Sequence, residues 1–191
     1  MYTKIYLDHY KGMRLSDRDI EKWLNKNQLI IVPKPSQNRI NGATVDLKLS
    51  NKFRIFTEYK IDYIDTNRIS KKNNELLQKK ITKQIEINER EIFFLHPGKL
   101  VLALTLECIT LPDNLIGWLD GKSSLARLGL MVHATSHRID PGWSGHIVLE
   151  VYNSGNIPIA LRPNMLIGAL KLFNKTIASA VPYAPDPITV N

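Results

Sequence analysis

Ile20, Trp23 and Leu24 recur at the spacing of one helix face, and the pattern fades at Asn25–Asn27. Ser16 offers a capping hydroxyl and Asp19 an acid in the first turn, so a short amphipathic helix of about three turns is predicted here. Beyond it the pattern changes. QLIIVP reads as a strand ended by Pro33 and Pro35. From Thr44 onward the segments TVDLKLS, KFRIFTEY, EIFFLHP, LVLALTLECITL, GHIVLEVYN and MLIGALKLF are short and rich in Val, Ile, Leu or Phe. Gly, Pro, Asn or Asp fence each of them, which is the signature of strands joined by turns. SKKNNELLQKKITKQI, at 70–85, reads as a helical or irregular excursion between strands, and SLARLGL, at 124–130, as a single helical turn. No long helices alternate with the strands, so a parallel α/β sheet is not expected. The chain reads as one mainly β domain.

Period-2 alternation in HIVLEVY places Ile147, Leu149 and Val151 on one face and His146, Val148, Glu150 and Tyr152 on the other. The first face is core. Glu150 sits in the middle of the second, where a glutamate is either solvated, ion-paired or functional. Asp140-Pro141-Gly142-Trp143 is a turn sequence, with proline fixing φ and glycine free to take positive φ. Lys122, Ser123, Ser124 and Arg127 gather cations, hydroxyls and the free amides of a helical turn, which suits either a phosphate cradle or a capped turn with basic residues outside.

At 191 residues the chain has the length of one domain, and its 43% apolar content is ordinary for a globular protein. Its longest apolar runs are too short to span a bilayer, and MYTKIYLDHYKG lacks the apolar core of a signal peptide. Cys108 is the only cysteine, so no disulfide can form within the chain, and a cytoplasmic location is expected. MRLSDRDIEKW reads like a second start, which makes residues 1–12 an expected extension. The formal charge of +8 favours anionic partners. Much of it lies in Lys71, Lys72, Lys79, Lys80 and Lys83, which read as plain surface.

Several motifs fail. A Walker A loop ending in GKS needs glycine where Ile116 stands, and Ser123 lies outside any G-x-S-x-G elbow. None of the five histidines is followed by x-Glu and there is no cysteine pair, so the zinc nucleobase deaminase pattern is absent. His133 and His137 are spaced for one helix face, but Asp140-Pro141-Gly142 breaks such a helix, and structural histidines are expected. Nucleic-acid signatures are missing, so neither nucleic acid nor membrane is expected as a partner.

Taken together, MRLSDRDIEKWL, RINGATVDLKLSNKFR, LPDNLIGWLDGKSSLARLGLMVHATSHRIDPGWSGHIVLEVYNSG and IALRPNMLIGAL resemble the dCTP deaminase family, the zinc-independent branch of the trimeric dUTPase-like fold. The resemblance runs from Met13 to about Tyr183. It implies a distorted β-barrel of the β-clip type, covering 13–183, with a short N-terminal helix and one helical excursion. It also implies hydrolysis of dCTP to dUTP and ammonia, supplying dUMP and dTTP synthesis. A homotrimer with sites between subunits follows, with Mg2+ carried on the triphosphate, no zinc, and dTTP as a candidate inhibitor.

Carried over position by position, Glu150 matches the catalytic glutamate. Lys122, Ser123, Ser124, Leu125, Ala126 and Arg127 match the loop that holds the triphosphate and backs the reacting centre. Asp140 matches the aspartate facing the deoxyribose, and Val148, Leu149 and Glu150 the strand lining the base. Thr135, Ser136 and Arg138 stand in the base- and sugar-contacting loop, and Tyr183 matches a phosphate-contacting tyrosine. The chemistry suits these types. Attack of water at C4 of cytosine needs a base that later returns the proton, and one carboxylate can do both. Ser123 and Arg127 would orient the water and favour the charged carboxylate.

Two departures stand out. The family usually has arginine where this chain has Lys122, which exchanges a bidentate fork for a point charge. After Tyr183 the chain reads APDPITVN, with Val190 at the place of a lysine and no glutamine beyond, so residues 184–191 form a divergent tail without the family's lid. Weaker nucleotide binding is expected from it. The alternatives are a bifunctional dCTP deaminase and dUTP pyrophosphatase, or a nucleotide-binding trimer with impaired activity.

Overall fold

The computed structural model describes residues 14–57, 62–65, 77 and 79–174. Helix α1 (Asp17–Asn25) forms as its pattern predicts. The Asp19 amide donates to the Ser16 hydroxyl, and Asp19 in turn accepts from the Ser16 amide, both at 3.2 Å. This reciprocal cap satisfies two orphan donors of the first turn. Ile20 and Leu24 are buried, with Trp23 packed beside them.

Thirteen-residue strand β3 (Thr44–Phe56) joins into one element the two segments that the sequence reads separately. Around it lie β1 (Ile30–Val32), β2 (Ile40–Asn41), β4 (Thr82–Glu86), β5 (Phe93–Leu95), β6 (Leu100–Thr110), β7 (Leu115–Gly121), helical turn α2 (Ser123–Ala126), β8 (Leu130–Met131), β9 (Arg138–Ile139), β10 (Ser144–Asn153), β11 (Ile159–Leu161) and β12 (Leu166–Asn174). The main sheet runs β8-β10-β6-β3-β12-β7-β9, with β1 on β6 and β2 and β4 on β3. All pairings are antiparallel; β5 and β11 form a separate ribbon. The sheet curls as a half-barrel over a core that includes Val45, Leu47, Phe53, Ile109, Leu149 and Leu170. The mainly β reading holds.

The 70–85 excursion needs correction at its C-terminal end. Residues 79–81 are helical, but Thr82–Glu86 pair with Lys52–Phe56 as β4. Lys79, Lys80 and Lys83 are exposed, as surface lysines should be; Lys71 and Lys72 lie outside the described residues, as do residues 1–12 and the tail. Strand β7 escapes the pattern because Gly117 and the Asp120-Gly121 pair resemble turn residues. Gly117 has a packing reason: a Cβ there would lie 3.1 Å from both Ile139 and Leu170 side chains.

β6 is the hinge of the sheet. Its register slips against β10 between His146 and Val148, and against β3 between Leu49 and Phe53. Side chains close both gaps. Thr105, fully buried, accepts from the Ile147 amide at 2.9 Å and donates to the Glu107 carbonyl at 2.8 Å. His146 Nδ1 donates to the Thr105 carbonyl at 3.0 Å. Glu107, at 0% exposure, accepts the Lys48 amide of β3 at 2.9 Å and ion-pairs with Arg39. These contacts give the Ile147 and Lys48 amides acceptors where the register slips, although the buried Nε of Arg39 is left without a partner among the described residues.

Two chain crossings fix the far end of β10. Asn153, also fully buried, donates to the Leu95 and Ile157 carbonyls and accepts from the Gly155 amide, each at 2.9 Å. Gly129 sits at φ +94, and a Cβ there would fall 2.5 Å from the Gly155 nitrogen. The turn after α2 is thereby pressed onto the loop after β10.

Two stability outcomes follow. Glu107→Ala leaves Arg39 buried without its anion and the Lys48 amide without its acceptor; a loss of about 3–5 kcal/mol is expected by chemical denaturation. A change below about 1 kcal/mol would show the carboxylate to be dispensable. Gly129→Ala should lower the melting temperature well beyond Gly42→Ala. Both sites have positive φ, but nothing lies within 4 Å of a Cβ at Gly42, so that change meets only the backbone cost of about 1–2 kcal/mol. Equal effects would mean that the Gly129–Gly155 approach is not a constraint.

Candidate active site

The register slip on β10 ends two residues before Glu150, and bulges commonly re-aim a nearby side chain. Downstream of the slip the alternation is regular: Ile147, Leu149 and Val151 are buried, and Val148, Glu150 and Tyr152 are partly exposed on the other face. Glu150 therefore projects away from the core. Its Oε2 accepts the Ala134 amide at 3.0 Å, which anchors one carboxylate oxygen to the loop between β8 and β9. No other side-chain hydrogen bond or ion pair engages it among the described residues. Leu149 contributes its side chain to the core, so only its backbone faces the same side as the site.

β7 delivers the chain into α2. Lys122 takes an extended conformation as its N-cap, and its carbonyl accepts the Leu125 and Ala126 amides, each at 2.9 Å. Ser123, Ser124, Ala126 and Arg127 are exposed and Leu125 is half-buried against the core. Ser123, Ser124 and Arg127 have no side-chain hydrogen bond or ion pair among the described residues. A guanidinium and two hydroxyls on one helical turn, all unengaged, form a donor set suited to phosphate oxygens. Lys122 differs. Its ammonium lies 2.7 Å from the Asp46 carboxylate.

The loop between β8 and β9 supplies the third side. Thr135 and Ser136 are exposed and unengaged, and Arg138 pairs with Asp140 at 2.8 Å on the surface. Asp140 opens the expected turn: Gly142 has φ +80 and the Trp143 amide donates to the Asp140 carbonyl at 3.2 Å. The His133 and His137 rings are tilted against each other with centroids 5.6 Å apart, and His137 is edge-on to Trp118 at 4.9 Å. They serve as packing groups beside the loop. Tyr183 lies outside the described residues.

Within one chain, Glu150 makes no hydrogen bond or ion pair with Ser123 or Arg127. The two groups are linked only through the frame. α2 leads into β8, which pairs with β10 at Tyr152 and Asn153, and Gly129 accepts from both the amide and the hydroxyl of Ser154. Sequence reading missed Asp46, Arg39 and Glu107. Glu107 stands in LTLECITL, an almost wholly apolar run, and that isolation was the available signal.

Comparison with known proteins shows the family to which this fold belongs. The family model described as dCTP deaminase-like matches residues 14–175. The chain is 66% identical over 174 residues to a dCTP deaminase of Wigglesworthia glossinidia brevipalpis, covering 90% of this chain and 89% of that one. It is 56% identical over 171 residues to a dCTP deaminase of Pectobacterium atrosepticum, again covering 90% and 89%. The crystal structure of 2'-deoxycytidine 5'-triphosphate deaminase from Agrobacterium tumefaciens has a TM-score of 0.65 at 17% identity and shares the fold. That match covers 86% of this chain but 49% of the other, so the chain spans about half of that protein's length. With a family match across nearly all described residues, the chain belongs to the dCTP deaminase-like family.

Proposed function

We propose that this protein hydrolyses dCTP to dUTP and ammonia, with Glu150 as the acid and base. The observation that carries the proposal is the Glu150 carboxylate, in a chain closely similar to named dCTP deaminases, facing away from the core with one oxygen anchored by Ala134. The other oxygen is free to take a proton from water. Water then attacks C4 of cytosine as the carboxyl group gives that proton to ring N3. The carboxylate next carries the proton of the new C4 hydroxyl to the departing amine as the C4=O bond forms. The C4–N bond breaks and ammonia leaves. The Ala134 amide holds the carboxylate in place, so little reorganisation is needed as charge moves.

Magnesium enters as part of the substrate, bound to the triphosphate. The turn from Lys122 through Ser123, Ser124, Leu125 and Ala126 to Arg127 receives the triphosphate, with Ser123 and Arg127 also orienting the water beside Glu150. Asp140 faces the deoxyribose with Thr135, Ser136 and Arg138 alongside. Val148 and the Leu149 backbone line the base. The unit is a homotrimer in which Glu150 of one copy works with Ser123 and Arg127 of a neighbour. The lack of any contact between these groups within one chain supports that arrangement. Tyr183, inhibition by dTTP and a cytoplasmic setting belong to the same reading.

Glu150→Gln keeps the side chain's shape and removes its proton exchange. Ammonia release from dCTP should fall about 10²–10⁴-fold while nucleotide binding persists. Unchanged turnover would remove Glu150 from the mechanism. Product analysis separates the bifunctional alternative: dUTP marks deamination alone, and dUMP with pyrophosphate marks the second activity.

A further inference from the structure

One row of side chains crosses four strands on the face that carries Glu150. In register, Gln84 of β4 lies beside Arg54 of β3, Arg54 beside Leu102 of β6, and Leu102 beside Glu150 of β10. Directly opposed residues of antiparallel strands project from the same face. Arg54 and Glu150 therefore share one surface, two strand spacings or about 10 Å apart at the backbone. The rows on either side are apolar: Leu104 opposes Val148, and Leu100 and Met131 flank Tyr152. Leu100 and Met131 are 38% and 41% exposed, and Leu102 and Leu104, though buried, stand outside the core cluster.

Arg54 is the anomaly on this face. Its Nε is buried without a hydrogen-bond partner, and its side chain makes no hydrogen bond or ion pair among the described residues. A guanidinium so placed carries a desolvation cost that an oxygen acceptor has to offset. We propose that a second copy of this chain seats on the face formed by β3, β6, β10 and β8, and that Arg54 anchors it by donating to an oxygen of that copy. Glu150 lies in the same row and meets neither Ser123 nor Arg127 within its own chain. The turn that carries them reaches Glu150 only from a neighbour lying over these strands. Leucine, methionine and tyrosine around one arginine is also the composition of an interface core. Arg54 is thereby a positioning residue: it fixes the neighbour's turn relative to Glu150 and touches neither substrate nor the reacting water.

This contact rests on the proposed sites between copies, and the test keeps the two apart. Wild type, Arg54→Met, Arg54→Lys and Leu100→Asp are compared by sedimentation equilibrium over a dilution series, by melting temperature, and by ammonia release from magnesium–dCTP at each dilution. Leu100 sits at the edge of the face and outside the site. Arg54→Met should raise the concentration at which half the chains are dissociated at least about tenfold, and Arg54→Lys by less. Leu100→Asp should also weaken assembly, since it puts a carboxylate into the apolar contact. Ammonia release should fall on dilution in step with the trimers, with KM unchanged in the assembled protein. Arg54→Met that dissociates as wild type does overturns the proposal, and so does Leu100→Asp that assembles as wild type does. Arg54→Met that stays trimeric but loses ammonia release would put Arg54 in the site itself and overturn it too. Should Arg54→Met fail to fold, Arg54→Lys decides, and dissociation at the wild-type concentration overturns the proposal. A wild type that is monomeric and active overturns the sites between copies along with this contact. A wild type that is trimeric but releases no ammonia overturns deamination only, and the dilution series still decides the role of Arg54.

Discussion

A carboxylate with no exposed surface, that of Glu107, is the contact on which the sheet's shape depends. Burying such a charge costs several kcal/mol, and only a close cation with further hydrogen bonds offsets it. Glu107 has both, in Arg39 and the Lys48 amide. With Thr105 it gives the Ile147 and Lys48 amides acceptors where β6 breaks register against its two neighbours. Without those breaks a long central strand would keep β3 and β10 in simple alternation. With them, β10 bends just before Glu150, and β3 brings Asp46 next to the turn at Ser123. The geometry of the site is thus set in the core.

The distribution of engaged and unengaged side chains divides the work of the site. Lys122, Asp46, Arg39 and Glu107 have partners inside the chain and hold the frame. Ser123, Ser124 and Arg127 have none among the described residues and face outward. Glu150 stands between these classes, one oxygen anchored and the other open. Such a division fits a surface that meets a polyanion on one side and a neutral base on the other.

Features set by near neighbours were legible in the sequence. The Ser16–Asp19 cap, the alternation around Glu150 and the Asp140–Trp143 turn all depend on residues a few places apart, and all appear as read. Features set across the fold were not. The alternation draws attention to Glu150, yet Glu107 is the fully buried glutamate, because burial there depends on β3 and Arg39 arriving from elsewhere. β7 was obscured because Gly117 is demanded by Ile139 and Leu170, which lie far away in sequence. The Lys122–Asp46 ion pair was hidden as well, because Asp46 lies 76 positions away.

Each chain is held to carry two complementary parts of a site, Glu150 on one face and Ser123 with Arg127 on another, that meet between copies. Subunit mixing tests this most directly. Glu150→Gln and Arg127→Ala proteins, each inactive alone, are dissociated together in equal amounts and allowed to reassemble. If sites form between copies, about a quarter of them pair an intact Glu150 with an intact Arg127, from one half times one half, and ammonia release returns to about that share of wild type. A reassembled mixture as inactive as its two parents would place the whole site within one chain and contradict the arrangement.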